Sequence, residues 1–126
     1  MKIWFVMSFV FLVMFSLFQP VEAAGTELMN SFSFRMTLVE NGTEYQWEYD
    51  SPNAYEFEYG ERVIKGEEAK KKVEEMFRIL KLTEEEKVET LVKRVKDANH
   101  PSLERLDIRY MNADGKLYTW VWQNNQ

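Results

Sequence analysis

Four glutamates have the residue type and spacing that come nearest to a chemistry. They alternate along segments 43–50 and 54–59, so in β-strands their side chains point to one face of a sheet: Glu44, Glu48, Glu56 and Glu58. Paired carboxylates can hydrolyse glycosides or bind a hard cation such as calcium. Strand alternation alone produces the same spacing, however, and no D-x-D-x-D-G loop is present. A solvated strand face is therefore the preferred interpretation.

Arg35 belongs to the same predicted face. The predicted strand register sets Glu48 between Arg35 on one neighbouring strand and Glu56 on the other. Like charges directly across a sheet are unfavourable, and Arg35 partly offsets them. This arrangement keeps a basic partner or weak calcium binding open as hypotheses. We call the set the acidic face, and its members are Arg35, Glu44, Glu48, Glu56 and Glu58.

The other polar and aromatic side chains do not favour a catalytic or metal site. His100 is the only histidine and precedes Pro101, whereas zinc sites draw on several His or Cys residues. Trp47, Trp120 and Trp122 could stack on a sugar, but the predicted registers place all three in the core. No G-x-S-x-G motif contains any of the serines Ser31, Ser33, Ser51 and Ser102. We therefore predict no catalytic residue, no metal ligand and no cofactor.

The acidic face depends on a β-hairpin at 31–50. Apolar residues alternate with polar ones on both sides of Asn41-Gly42, a dipeptide that favours a two-residue type I′ turn. Such a turn sets Glu40 opposite Thr43 and brings the large apolar side chains, from Phe32 onward, to one side. The predicted pairs are Leu38 with Tyr45, Met36 with Trp47, and Phe34 with Tyr49.

A third strand carries Tyr55, Phe57 and Tyr59 after a turn at 51–53. The predicted register places Tyr49 opposite Tyr55, and Trp47 opposite Phe57. Gly60 should end or bulge this strand, with Val63-Ile64 continuing as an apolar connection.

Helical periodicity begins at Glu67, where the apolar stripe is Ala69, Val73, Met76, Phe77 and Leu80. A second helix is predicted to begin at Thr83 through a capping box with Glu86. It should stop by Asn99, because Pro101 disfavours a helical residue before it. Its stripe is Val88, Leu91, Val92 and Val95.

The tail from 103 to 123 forms a second hairpin. A type I turn with a glycine bulge pairs Asn112 with Lys116. The apolar pairs that result are Leu106 with Trp122, Ile108 with Trp120, and Tyr110 with Tyr118. The predicted fold class is α+β: an antiparallel sheet in the order β-β-β-α-α-β-β, with two helices packed on one face and the other face toward solvent.

The first 23 residues resemble a secretory signal peptide. Lys2 is followed by an apolar run over 3–18, and Ala23 and Ala24 supply small residues at a cleavage point. Residues 24–126 then form a single α+β domain, secreted or extracytoplasmic after cleavage near Ala23. An uncleaved membrane anchor is the alternative, although the run is short for a span. No cysteine is present to carry a lipid.

The charge balance bears on the class of partner. Outside residues 1–23 there are 15 Lys and Arg against 20 Asp and Glu, a net charge of −5. All of the excess acid lies in residues 24–65, which hold 8 acidic and 3 basic residues. Nucleic acid is therefore not expected as a partner.

Several segments together resemble the YusW-like proteins, small exported proteins of Bacillus and relatives. The chain has E-Y-x-x-E-Y at 44–49, I-K-G-E-E-A at 64–69 opening a helix, a second Lys/Glu helix and a final D-G-K hairpin. The resemblance covers nearly the whole chain after residue 23. Many members are lipid-anchored, whereas this chain has no cysteine at its signal boundary. The family implies no established activity, so it contributes no catalytic residues.

The function expected from the sequence is binding rather than catalysis. The leading hypothesis is a secreted, non-enzymatic module that binds a protein or peptide at the bacterial cell envelope, through the acidic face or an exposed strand edge. One alternative is a hydrolase acting on cell-wall glycan through two of the carboxylates. Another is a domain that an uncleaved signal segment keeps at the membrane.

Overall fold

In the computed structural model, which describes residues 28–125, six strands form one antiparallel sheet in the order β4-β3-β2-β1-β5-β6. Two helices follow β4 and pack on one face of the sheet, which confirms the predicted α+β class. The strands are β1 Ser33–Glu40, β2 Thr43–Asp50, β3 Ala54–Tyr59, β4 Arg62–Lys65, β5 Leu103–Met111 and β6 Leu117–Gln123, and the helices are α1 Gly66–Leu80 and α2 Val88–Asp97.

The predicted signal peptide and its cleavage point near Ala23 lie outside the described residues. Within residues 28–125, no helix is long and apolar enough to cross a membrane.

The first hairpin has the predicted register. Glu40 lies opposite Thr43, and the pairs that follow it down β1 and β2 are the predicted ones. Asn41 and Gly42 both have positive φ, 51° and 76°, as a type I′ turn requires. Phe34, Met36 and Leu38 are fully or almost fully buried, whereas Phe32, before the strand begins, is 57% exposed. The covered part of the alternation therefore starts at Phe34.

The prediction that Val63-Ile64 is a connection was wrong, because residues 62–65 form the additional strand β4. Gly60, with φ 59°, begins a two-residue turn that returns the chain antiparallel to β3. Ile64 lies opposite Phe57 on the helix-covered side, and Lys65 lies opposite Glu56 on the other. Four residues are too few for alternation to distinguish a strand from a connection. The element order is β-β-β-β-α-α-β-β.

Helix α1 buries the predicted stripe, Ala69, Val73, Met76, Phe77 and Leu80. It lies mainly over β3 and also contacts β2 and β4. Arg94 of α2 donates a hydrogen bond of 2.7 Å to the Leu80 carbonyl, one of the last carbonyls of α1. This bond joins the end of one helix to the side of the other.

The prediction that the second helix begins at Thr83 was wrong, because α2 begins at Val88. The Thr83 hydroxyl bonds the Glu86 carboxylate at 3.0 Å instead of capping a backbone N–H. The Glu86 carbonyl accepts a 2.8 Å hydrogen bond from the Trp120 indole, and its carboxylate pairs with Arg94 at 3.2 Å. These tertiary contacts hold residues 83–86 as a turn. Three of the four predicted stripe residues of α2 are buried, Val88 is partly buried, and the helix stops before Asn99.

The last hairpin also confirms its predicted register. The Asn112 N–H donates to the Lys116 carbonyl at 3.0 Å, and Gly115 has φ 82°. The pairs are Leu106 with Trp122, Ile108 with Trp120, and Tyr110 with Tyr118. Because β5 also pairs with β1, both hairpins contribute to one core beneath the helices.

The open sheet face as the candidate binding site

The sheet face opposite the helices collects charged side chains in rows across the strands. One such row of directly opposed residues crosses the whole sheet from β4 to β6: Lys65, Glu56, Glu48, Arg35, Arg109 and Thr119. Side-chain alternation along each strand puts these residues on the same face. The structure therefore brings three members of the acidic face, Arg35, Glu48 and Glu56, into one row.

Glu48 and Glu56 form a carboxyl pair at the centre of this row. Burial raises the pKa of Glu48 above its ordinary value, and a hydrogen bond to Glu56 raises it further. Arg35 lowers it, while the negative charges of Glu56 and Glu58 act in the upward direction. The balance is upward, and burial is its main cause.

Arg35 connects Glu48 to an acid that the sequence analysis did not include. Its guanidinium lies 3.5 Å from Glu48 Oε1 and 3.2 Å from Asp50 Oδ2. The Arg35 side chain is half exposed, so each contact contributes no more than about 1 kcal/mol. One guanidinium therefore forms ion pairs with two carboxylates. Asp50 has the strand parity of Glu48, and extending the alternation by two residues would have found it.

Lys65 is the other cation beside the pair. Its ammonium lies 3.8 Å from Glu56 Oε1, and 75% of its side chain is exposed. Sequence reasoning missed this contact because β4 was not predicted. A side chain so exposed can turn away from Glu56, which leaves the carboxylate open to another cation.

The remaining members of the acidic face lie at different distances from the pair. Glu58 is one row away, where its neighbours are Gln46 and Val63. Glu44 lies four residues from Glu48 along β2, about 13 Å, and is exposed at the turn end of the hairpin. The structure thus groups Glu58 with the pair and separates Glu44 from it.

A depression of about 500 Å³ adjoins the acidic face, next to the start of α1. The charged side chains in its lining are Glu48, Asp50, Glu56, Glu67, Lys65 and Lys70. Carboxylates outnumber ammonium groups four to two in that lining. The concave part of this face therefore favours a cationic group over an anionic one.

The other half of the open face is basic. Arg109 lies directly opposite Arg35, and Arg105 lies opposite Val39 on the same side of the sheet. Asp107 pairs with Arg109 at 3.5 Å. The excess acid is therefore confined to the part of the face formed by β2 and β3.

A second polar cluster lies at the other side of the sheet and was missed by the sequence analysis. The Glu40 carboxylate bonds His100 Nδ1 at 2.9 Å and accepts a 2.9 Å hydrogen bond from the Ser102 N–H. Only 10% of the Glu40 side chain and 15% of the His100 side chain are exposed. Glu40 has the parity of Phe34, Met36 and Leu38, which indicates that its carboxylate needs a buried partner. The cluster attaches the segment after α2 to the end of β1.

The carboxyl pair does not have the geometry of a glycosidase. Glycosidases place their two carboxyl groups on either side of the scissile bond, whereas Glu48 and Glu56 project side by side from neighbouring strands of one sheet face. Across residues 28–125 no group of three or more His, Cys, Asp or Glu side chains is placed to hold a metal ion. Calcium takes six to eight oxygen ligands, so the pair alone is a poor calcium site.

Comparison of the chain with family models, with curated proteins and with solved structures finds no match. The resemblance to the YusW-like proteins therefore stays a prediction.

Proposed function

We propose that this chain is a secreted, non-enzymatic binding module that recognises a basic segment of a protein or peptide at the bacterial cell envelope. The binding surface is the β2–β3 part of the acidic face, with the depression beside it. Export is inferred from the first 23 residues of the sequence.

The observation that carries this proposal is the carboxyl pair of Glu48 and Glu56. The two acids lie directly opposite each other, and the pKa of Glu48 is raised by burial and by its bond to Glu56. Repulsion between them is an unfavourable term in the free protein. A cation from a partner relieves that repulsion on binding. The relief contributes favourably to the binding free energy.

The partner's charge and shape follow from the surroundings of the pair. Glu58, Asp50 and Glu67 add negative charge around it, and the rigid strands hold the carboxylates in fixed rows. A segment with lysine or arginine at alternating positions can place successive cations over such rows. Ion pairs of this kind accelerate association and weaken with salt.

The competing hypothesis, a cell-wall glycan hydrolase, receives less support from the same residues. The two carboxyl groups project side by side from an open sheet face. Glycoside hydrolysis requires water exclusion and carboxyl groups that flank the scissile bond, and an open face provides neither.

The double variant Glu48→Gln, Glu56→Gln tests the proposal against this alternative. We expect a lysine-threonine repeat peptide, (Lys-Thr)₄, to bind the wild-type protein and to bind the variant at least about tenfold more weakly, measured by calorimetry at low salt. Neither protein should release sugar from purified peptidoglycan.

The matched control is Glu85→Gln, Glu89→Gln. It removes the same charge from exposed positions away from the sheet face and should bind the peptide like wild type. If the control variant bound the peptide as weakly as the double variant, the loss of affinity would be due to net charge alone. That result would contradict the proposed site. Peptidoglycan turnover that the double variant abolishes would instead establish the hydrolase.

A further inference from the structure

Strand β6 is an edge of the sheet and carries no charged residue. Among residues 28–125 it pairs only with β5, and its sequence is LYTWVWQ. Edge strands with free backbone groups add strands from other chains unless short length, charge, proline or a bulge prevents it. Seven uncharged residues provide none of these protections.

The hydrogen-bond pattern shows which backbone groups of β6 point outward. Asn112 bonds Lys116 and Asn124 bonds Glu104, so these two opposed pairs are hydrogen-bonded pairs of the β5–β6 ladder. Antiparallel ladders alternate such pairs with pairs whose N–H and C=O groups point away from each other. The outward-pointing positions of β6 are therefore its odd ones: Leu117, Thr119, Val121 and Gln123.

The opposite edge of the sheet is protected. Strand β4 has four residues and begins and ends with a basic side chain, Arg62 and Lys65. Both features discourage strand addition. Of the two edge strands, β6 is therefore the one suited to pair with a strand of another chain.

Two apolar side chains adjoin the free edge. Leu117 is 55% exposed and Val121 is 56% exposed, both on the open face. Thr119 lies between them, and Trp120 lies on the helix-covered side. A strand added at β6 would cover the two exposed aliphatic groups.

We propose that β6 pairs antiparallel with β6 of a second copy of this chain, with Trp120 at the two-fold axis. In this register Thr119 lies opposite Val121 of the second copy, and Leu117 lies opposite Gln123. All four outward-pointing positions of each strand then form ladder pairs. A register centred on Thr119 or on Val121 leaves at least one outward position of each strand without a partner.

The charges explain why a second copy fits although each chain carries a net charge of −5. No charged residue faces another across the new ladder, because β6 has none. Lys116, the nearest charged residue, lies opposite Asn124 of the second copy. Excess acid lies on β2 and β3, which β1 and β5 separate from β6.

This dimer goes beyond the proposed function and does not depend on it. Two six-stranded sheets would become one sheet of twelve strands, since each contributes six. The two-fold axis is perpendicular to the sheet, so both acidic faces point to the same side. A partner with two basic segments could then engage both copies at once.

Charge substitutions at the predicted cross-strand pair test the dimer and its register. The double variant Thr119→Glu, Val121→Glu places two carboxylates opposite each other at each pair. The matched variant Thr119→Glu, Val121→Lys places a carboxylate opposite an ammonium instead. Both positions are exposed, so circular dichroism should show the wild-type fold in both variants.

Sedimentation equilibrium from 1 μM to 1 mM gives the readout, with the N-terminus recorded by mass spectrometry. We expect wild type and the Glu/Lys variant to reach twice the chain mass, and the Glu/Glu variant to dimerise at least about tenfold more weakly. A wild-type protein that stays monomeric to 1 mM overturns the dimer. Glu/Glu and Glu/Lys variants that behave alike overturn the register.

Discussion

At the residue scale, the charge of Glu48 opposes folding. Its pKa is raised, first by burial and then by the bond to Glu56, so the folded state holds the proton of Glu48 more tightly than the unfolded state. Stability from this group is present below its ordinary pKa of 4.5 and is lost as the pH rises through the raised value. At neutral pH the charged Glu48 therefore lowers the stability of the folded protein. A residue that lowers stability in this way is typical of a binding site.

Glu48→Gln should therefore stabilise the protein at pH 7, by about 0.2–1 kcal/mol, the range for one cross-strand pair. The gain should shrink as the pH falls through the raised pKa of Glu48 and be lost below 4.5, where Glu48 is protonated in both the folded and the unfolded state. Urea unfolding at pH 7 and pH 3.5 measures both values. A variant that is less stable than wild type at pH 7 would show that the Arg35 contact outweighs the repulsion.

Glu40 is the opposite case, a carboxylate that contributes to stability. It is 8% exposed and satisfies both the Ser102 N–H and His100 Nδ1. Glu40→Ala leaves both groups without their partner, and we expect a loss of about 2–3 kcal/mol in the free energy of unfolding. Glu44→Ala, at an exposed position of the same hairpin, should change it by less than about 0.5 kcal/mol. Equal effects of the two variants would contradict the structural role of Glu40.

At the scale of the elements, local turn chemistry and alternation determined what could be predicted. Asn41-Gly42 and the glycine bulge at 115 fix the loop length of each hairpin, and loop length fixes the register of every pair beyond it. The placement of Arg35, Glu44 and Glu48 on one face was predictable for that reason. Strand β4 was not, because its four residues show too little periodicity and its pairing depends on the turn at Gly60.

The start of α2 shows tertiary contacts overriding a local motif. The sequence T-E-E-E favours a capping box, yet Glu86 is engaged by Trp120 of β6 and by Arg94 further along α2. No pattern around Thr83 contains those contacts. A helix boundary of this kind can be predicted only when the residues that pack against the segment are known.

Thr83→Ala tests this explanation. A helix N-cap would lose about 1 kcal/mol on substitution by alanine, whereas the exposed contact between Thr83 and Glu86 should contribute less than about 0.5 kcal/mol. Chemical unfolding and helical circular dichroism give the measurement. A loss of 1 kcal/mol or more would restore Thr83 as the cap.

At the scale of the whole molecule, the two sheet faces have different roles. The helix-covered face provides stability, and the open face is the one proposed for recognition. One face, covered by the helices, holds the apolar core, including Phe34, Trp47 and Ile108. The other is polarised, with acid on β2 and β3 and base on β1 and β5. A chain with this division can vary its open face for different partners without altering its core.

The polarised face also explains why net charge alone is a weak guide to the partner. The acidic and basic halves of the open face meet between β2 and β1, where Arg35 bonds Glu48. A basic segment that followed the rows beyond Arg35 would meet Arg109. We therefore expect the bound segment to be short and confined to β2, β3 and the depression.

Chemical-shift mapping by NMR with (Lys-Thr)₄ is the sharpest test of binding at the acidic face, because it locates the binding site without a substitution. We expect shifts that saturate with peptide concentration at Glu48, Glu56 and Glu58, that weaken between 50 and 300 mM salt, and that are small at Glu85 and Glu89. Shifts concentrated on the helices, or no saturable shift on β2 and β3, would contradict the acidic face as the binding site.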